Sequence, residues 1–293
     1  MKFYHRFFSS ILFVLAKVAG QLPIGFLYFK AAFLRIIAEK ILHYRYQVII
    51  QNLSRSFPEK NYQEISALAH SFYRHFFEIF AEVIKSQGLK PAEAKARFSI
   101  ENPELIHDFH ARGINVIAMA GHRGNWEWVI MMPLFFGFNI YTLYKPLSGR
   151  IMENLMGRIR ARFGMKLLSM QQAGRFILSK KDYPALYIFV GDQSPSHKDP
   201  DYCFDFLNQP SLLFNGGAKL ARATASAVVY LSITKTGRGT YSAGFRTIAE
   251  PSENKSDQEI LSSYARMLEQ DIRKQPAFWL WSHKRWKHKA TNS

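Results

Sequence analysis

The chain is expected to fold as an α/β protein, a mixed sheet flanked by helices, behind an N-terminal helical region of different texture. Three observations predict this. From Gly113 onward, short apolar runs alternate with stretches of helical period, the pattern of a sheet covered by helices. Residues before about 97 read as mostly helical, with turns at Ser56-Phe57-Pro58 and at Gly88 to Pro91, and the first 45 combine apolar length with a trailing run of cations. With hydrophobic residues at 48% and aromatics at 15%, a disordered chain is excluded. The organisation expected is an N-terminal segment over 1–45 and a single α/β domain over 46–293.

The first segment, Phe7 to Phe29, carries one charge, Lys17, across roughly 35 Å of helix. Gln21, Pro23 and Gly25 interrupt it, and proline and glycine in mid-span break or kink a helix. Two short apolar helices lying in one leaflet are therefore expected rather than a clean span. No small-x-small site closes the run, so it is expected to stay on the protein. Lys30, Arg35, Lys40, His43, Arg45, Arg55 and Lys60 follow, interleaved with Phe33, Leu34, Ile36, Ile37, Ile41, Leu42 and Tyr44. That composition buries one face and offers cations to lipid headgroups; a plain solvated basic face is the alternative. Ile65 to Ile84 repeats apolar residues at helical period, as a core helix does. Strands are expected over 115–120, 140–145, 185–190, 227–234 and 241–248, and helices over 149–163, 171–180, 213–223 and 256–274.

Lys and Arg exceed Asp and Glu by 39 to 22, a formal charge of +17. Such an excess suits nucleic acid, an anionic membrane or an acidic partner. Nucleic acid is disfavoured, because the aromatics sit in helix-period core patterns rather than in an exposed polar stacking surface. The single Cys203 excludes an internal disulfide and points to a reduced compartment. His107 and His110 lack further ligands and read as surface residues. No metal is expected. Gly216-Gly217 suggests a close helix approach, but no Gly-Lys-Ser or Gly-Lys-Thr follows to make a phosphate loop.

The sharpest feature is Gly121-His122-Arg123-Gly124-Asn125-Trp126-Glu127-Trp128, at the end of the first buried strand. Open α/β sheets place their chemistry outside the carboxyl ends of strands. Asn125 is expected to cap the following helix, with Glu127 in its first turn. A carboxylate there can take one imidazole N–H and leave the other nitrogen free to accept a proton from a hydroxyl. His122 is thus the candidate general base and Glu127 its orienter. The bare spacing is weak, since this composition yields about 0.75 such pairs by chance; the strand-end position and flanking glycines carry the inference. Asp192 and Gln193 follow another apolar run and are expected either to brace the site or to form a turn.

The block GHRGNWEW resembles the signature of the bacterial lipid A biosynthesis acyltransferases, within the wider lysophospholipid acyltransferase superfamily. Residues 44–58 (YRYQVIIQNLSRSFP), 144–165 (YKPLSGRIMENLMGRIRARFGM), 189–195 (FVGDQSP) and the closing 278–287 (FWLWSHKRWK) agree in order and spacing. The resemblance implies O-acyl transfer from acyl-acyl carrier protein to a hydroxyl of a phosphorylated glycolipid, a lipid A precursor, at the cytoplasmic face of the inner membrane. It implies His122 as base, Glu127 as its partner, no cofactor and no covalent enzyme intermediate. Arg123, Asn125, Lys145, Arg158, Arg160, Asp192 and Gln193 are the substrate contacts it suggests; of Arg158 and Arg160, two apart on a helix, one is expected to face the site. The implied partners are acyl carrier protein, anionic inner-membrane lipids and the glycolipid acceptor, with a monotopic or single N-terminal anchor. An apolar channel for the acyl chain is expected, each buried methylene contributing about 0.8 kcal/mol. Acylation of a lysophospholipid or an amino-acid-containing lipid is the alternative activity. A non-catalytic basic membrane-binding protein is the alternative of another class. The closing tryptophans and cations, Trp279, Trp281, Trp286, Lys284, Arg285, Lys287 and Lys289, fit an interfacial anchor, a wall of the site or simple packing.

Overall fold

The computed structural model describes residues 2–179, 182–195 and 199–287. Lys180, at the end of one expected helix, and Lys289, of the closing basic run, lie outside them. The N-terminal region is helical: α1 (Lys2–Gln21) and α2 (Ile24–Ile36), broken before Pro23. No single helix is long and apolar enough to cross a membrane, but Tyr4–Gln21 and Ile24–Ile41 pass together as a pair bent by 118°. A π-helical turn (Ile37–Ile41) leads into α3 (Tyr46–Ser56) and then α4 (Tyr62–Ser86), which starts on a capping box between Asn61 and Glu64. Leu27, Tyr28 and Ala31 of α2 bury against Ala81, Phe77 and Ile84 of α4. The opposite side of the N-terminal pair is bare, with Phe7, Val14, Leu15, Val18, Phe26, Phe29 and Phe33 exposed.

After α5 (Pro91–Arg97) and α6 (Pro103–Ala111) the chain alternates strand and helix. The strands are β1 (Phe98–Ile100), β2 (Val116–Ala120), β3 (Ile140–Tyr144), β4 (Lys166–Ser169), β5 (Leu186–Val190), β8 (Ala227–Gly237) and β9 (Thr240–Ala249). They form one seven-stranded sheet in the order β1-β9-β8-β2-β5-β3-β4. Only β8–β9 pairs antiparallel, so the sheet is mixed, as expected. A separate two-stranded ribbon joins β6 (Cys203–Phe206) to β7 (Gln209–Leu212).

Central β2 is buried along its whole length, which is why it reads as an unbroken apolar run. Its side chains alternate between two cores. Ile117 and Met119 face α4, α9 (Gly216–Ala223) and α10 (Asp257–Lys274); Val116, Ala118 and Ala120 face α6 and a 3-10 helix over Trp126–Leu134. Helices α7 (Arg150–Arg160) and α8 (Met170–Leu178) complete the chain's crossovers. Gly217 lets α9 approach the sheet, 3.6 Å separating the place of a Cβ from the Phe189 ring.

Candidate active site

Register builds the site. β2 and β5 run parallel with Val116 opposite Leu186 and Ala120 opposite Val190. Each strand is followed by a glycine, Gly121 or Gly191, and then by the residue that matters, so the same pairing continued two residues brings His122 to Asp192. Gly121 gives close packing there, since a Cβ would lie 2.6 Å from Leu268 Cδ1 and 3.2 Å from Asp192 Oδ2. Gly124 turns the loop at φ +59°, with a Cβ position 2.7 Å from the Ile233 carbonyl oxygen.

His122 Nδ1–H donates to Asp192 Oδ1 at 2.5 Å, and its backbone amide donates to Oδ2 at 2.8 Å. The Trp279 indole donates to Oδ2 at 2.6 Å. Asp192 is buried, at 2% exposure. Burial alone pushes its carboxyl upward, but the His122 charge and these three donors outweigh burial and hold it below the usual carboxylate range. An ionised carboxylate only accepts, so it fixes Nδ1 as the protonated nitrogen. Nε2 faces outward, with the Gln193 amide nitrogen 3.2 Å away, and the Trp126 ring packs edge-on against the imidazole at 5.4 Å.

The expected partnership of Glu127 with the imidazole is not what the structure holds. Glu127 takes a bidentate bond from Arg160, at 2.9 Å from Nε and 2.6 Å from Nη2. The segment after Asn125 begins as a 3-10 helix rather than an α-helix, and Pro133 lies inside it; Glu127, its second residue, reaches Arg160 on α7. Asn125 does not cap it with its side chain. Instead the fully buried Asn125 amide donates to Glu82 Oε2 at 2.7 Å. Arg123, expected at the substrate, is 3% exposed and committed to the scaffold, donating to the Ile233 and Asp271 carbonyls and to Gln275 Oε1. Of the two helical arginines, Arg160 is the one that reaches Glu127. Arg158 bonds Ser10 Oγ and lies 4.0 Å over the Phe13 ring of α1. Lys145 is exposed in the loop after β3.

Two further elements clamp the loop. From α4, neutral His75 donates Nε2–H to the Gly124 carbonyl at 3.1 Å; burial first, then Lys235, pushes this imidazole down to about 3. Buried Glu82, raised by desolvation, accepts from Asn125, Tyr28 and Tyr241. From the C-terminal segment, Phe278 O accepts from the Gly124 amide and Leu280 N donates to His122 O. Trp279 and Trp281 are buried, which removes both from the role of interfacial anchor. His283, pushed down to about 4 chiefly by burial, accepts from the Ser194 amide at 3.3 Å. Trp279 fits the wall of the site that the closing motif allowed, whereas neither His75, Glu82 nor His283 stood out in the sequence as supporting the site. For Asp192 a signal existed, the matching Gly-His and Gly-Asp endings of two apolar strands. A cavity of about 780 Å³ is lined by residues of α3, α4 and the π-helical turn, away from His122.

The family model for bacterial lipid A biosynthesis acyltransferases matches residues 3–288. The chain is 22% identical over 275 residues to the lipid A biosynthesis palmitoleoyltransferase of Escherichia coli (strain K12), covering 91% of this chain and 87% of that protein. A lipid A biosynthesis acyltransferase of Shigella flexneri matches at the same identity and coverage. With the histidine loop, its buried carboxylate and a match along nearly the whole length, the chain belongs to the bacterial lipid A biosynthesis acyltransferase family and is an acyltransferase.

Proposed function

We propose that this enzyme moves a fatty acyl group from acyl-acyl carrier protein to a hydroxyl of a lipid A precursor at the cytoplasmic face of the inner membrane, with His122 as general base. The observation that carries the reading is the Asp192–His122 bond, which leaves the outward nitrogen as the proton acceptor. The acceptor O–H gives its proton to Nε2 as its oxygen attacks the thioester carbonyl carbon. The oxyanion collapses, the C–S bond breaks, and the departing thiolate takes the proton back from Nε2. Asp192 stays ionised throughout and stabilises the imidazolium between the two steps. Gln193 yields its place at Nε2 to the acceptor hydroxyl.

Glu127 acts in this scheme through Arg160. Two of the guanidinium's nitrogens are committed to the carboxylate, and Nη1 is what it has left for a substrate oxygen. The membrane reading is supported by the bare apolar face of α1 and α2, a contiguous array that a bilayer would cover. α1 also carries Phe13 and Ser10 against Arg158, on the same helix as Arg160, which supports an apolar path for the acyl chain along α1. The excess of cations suits both an acidic carrier protein and an anionic leaflet. Incubating the purified protein with acyl-acyl carrier protein and lipid A precursor tests the activity: a product heavier by one acyl group is expected, and no product overturns the proposal. Leu15→Glu together with Val18→Glu is expected to abolish co-flotation with anionic vesicles; undiminished flotation would remove α1 from the anchor.

A further inference from the structure

A second concave site lies behind the catalytic loop, and nothing in the acyl-transfer scheme uses it. It is a cavity of about 500 Å³ whose lining includes Arg74, Lys235, Arg238, Glu78, His75 and Phe278. Three cations face one carboxylate. Glu78 accepts from Lys235 Nζ at 2.9 Å and from Arg238 Nε at 2.8 Å. Arg74 is exposed and has no hydrogen bond or ion pair among the described residues. His75 adds no charge, its ring being held neutral between the Gly124 carbonyl and Lys235. The site therefore keeps an excess of two positive charges.

Its geometry is suited to a phosphate. Arg238 is pinned by Nε to Glu78 and by its face to the Tyr28 ring, 4.1 Å away, so the outer edge of the guanidinium is pre-oriented at 59% side-chain exposure. A planar fork held in this way offers paired N–H donors to two oxygens of one anion. Lys235 supplies a point charge at the floor, at 11% exposure, where water screens it least. The position favours a lipid over a free ion. Tyr28 belongs to α2, whose other side exposes Phe26, Phe29 and Phe33, so an α2 laid into a bilayer sets Arg238 at the level of the headgroups.

We infer that Arg74, Lys235 and Arg238 form a binding site for the phosphate of a lipid headgroup. The inference rests on the membrane-bound reading of the N-terminal helices given above. The phosphate has two available sources, the glycolipid acceptor itself or a neighbouring anionic phospholipid. In either case the bound headgroup sits one layer from the catalytic loop, since His75 holds the Gly124 carbonyl and Phe278 its amide.

The test uses the full chain in detergent, wild type against R74A/R238A. Both residues are exposed, and thermal midpoints are compared to confirm folding. Calorimetry with soluble dihexanoyl phosphatidic acid is expected to show at least tenfold weaker binding to the variant, with dihexanoyl phosphatidylcholine binding both proteins equally poorly. Equal binding of the phosphatidic acid overturns the site. Acyl transfer in mixed micelles then assigns the source. A tenfold rise in the KM for a phosphorylated lipid A precursor, absent with the dephosphorylated precursor, gives the phosphate to the acceptor. Loss of stimulation by phosphatidylglycerol at unchanged KM gives it to the surrounding lipid. If the wild type transfers no acyl group to any of these acceptors, the proposed function fails while the calorimetry still reads the site.

Discussion

At the end of β5 and at the start of the 3-10 helix stand two carboxylates in contrasting surroundings. Asp192 is buried among donors and takes both the ring and the backbone amide of His122, with the Trp279 indole as a third. Glu127 is more accessible, at 15% exposure, and its oxygens are both taken by Arg160. The first environment fixes a tautomer; the second fixes a cation. The difference shows that closeness along the chain is a poor guide to which acid serves a histidine, because strand pairing joins residues 70 apart while the short loop from His122 into the 3-10 helix points Glu127 elsewhere.

The largest effect should come from the base itself. His122→Ala is expected to lower kcat at least about 100-fold, the usual scale of general base catalysis; activity retained within a few-fold would sink the role. Asp192→Asn should follow, with a loss of tens of fold, because an amide can present its NH₂ to Nδ1 and favour the wrong tautomer. Glu127→Gln should cost about tenfold and lower the thermal midpoint, since it leaves the Arg160 charge half-buried without its partner; single-turnover rates and calorimetric melts measure both.

Smaller effects separate the scaffold from the chemistry. Trp279→Phe removes one donor to Asp192 and should destabilise by about 1 kcal/mol with only a few-fold loss of rate. Acid should unfold the clamp around the loop. His75 and His283 are depressed to about 3 and about 4 in the folded chain, while an unfolded imidazole titrates near 6.5. The unfolded state therefore takes up more protons as pH falls, so the stability these neutral rings lend is complete above about 6.5 and drains away below it. The urea midpoint should drop between pH 7.5 and 5, and His75→Gln, which keeps a donor for the Gly124 carbonyl, should blunt that drop. Raising the salt from 50 to 300 mM should increase the donor KM several-fold if the positive surface steers an acidic carrier.

How much of this was legible in the chain depends on range. The five strands with continuous apolar runs, β2, β3, β5, β8 and β9, were expected within three residues of their observed ends. β1, β4, β6 and β7 were not, since three or four residues are too few to show a period. His122 was legible because a glycine-flanked histidine at a strand end is a local feature. The burial of Arg123 and Asn125 was not, because it is set by Ile233, Asp271 and Glu82, each remote in sequence. The choice of Asp192 over Glu127 required knowing that β5 lies beside β2.

The most direct test sets the two carboxylates against each other. kcat/KM for acyl transfer is measured for Asp192→Asn and Glu127→Gln with the same donor and acceptor, after melting curves confirm that both variants fold. The account predicts the deeper loss for Asp192→Asn. A deeper loss for Glu127→Gln, with Asp192→Asn close to wild type, would contradict it.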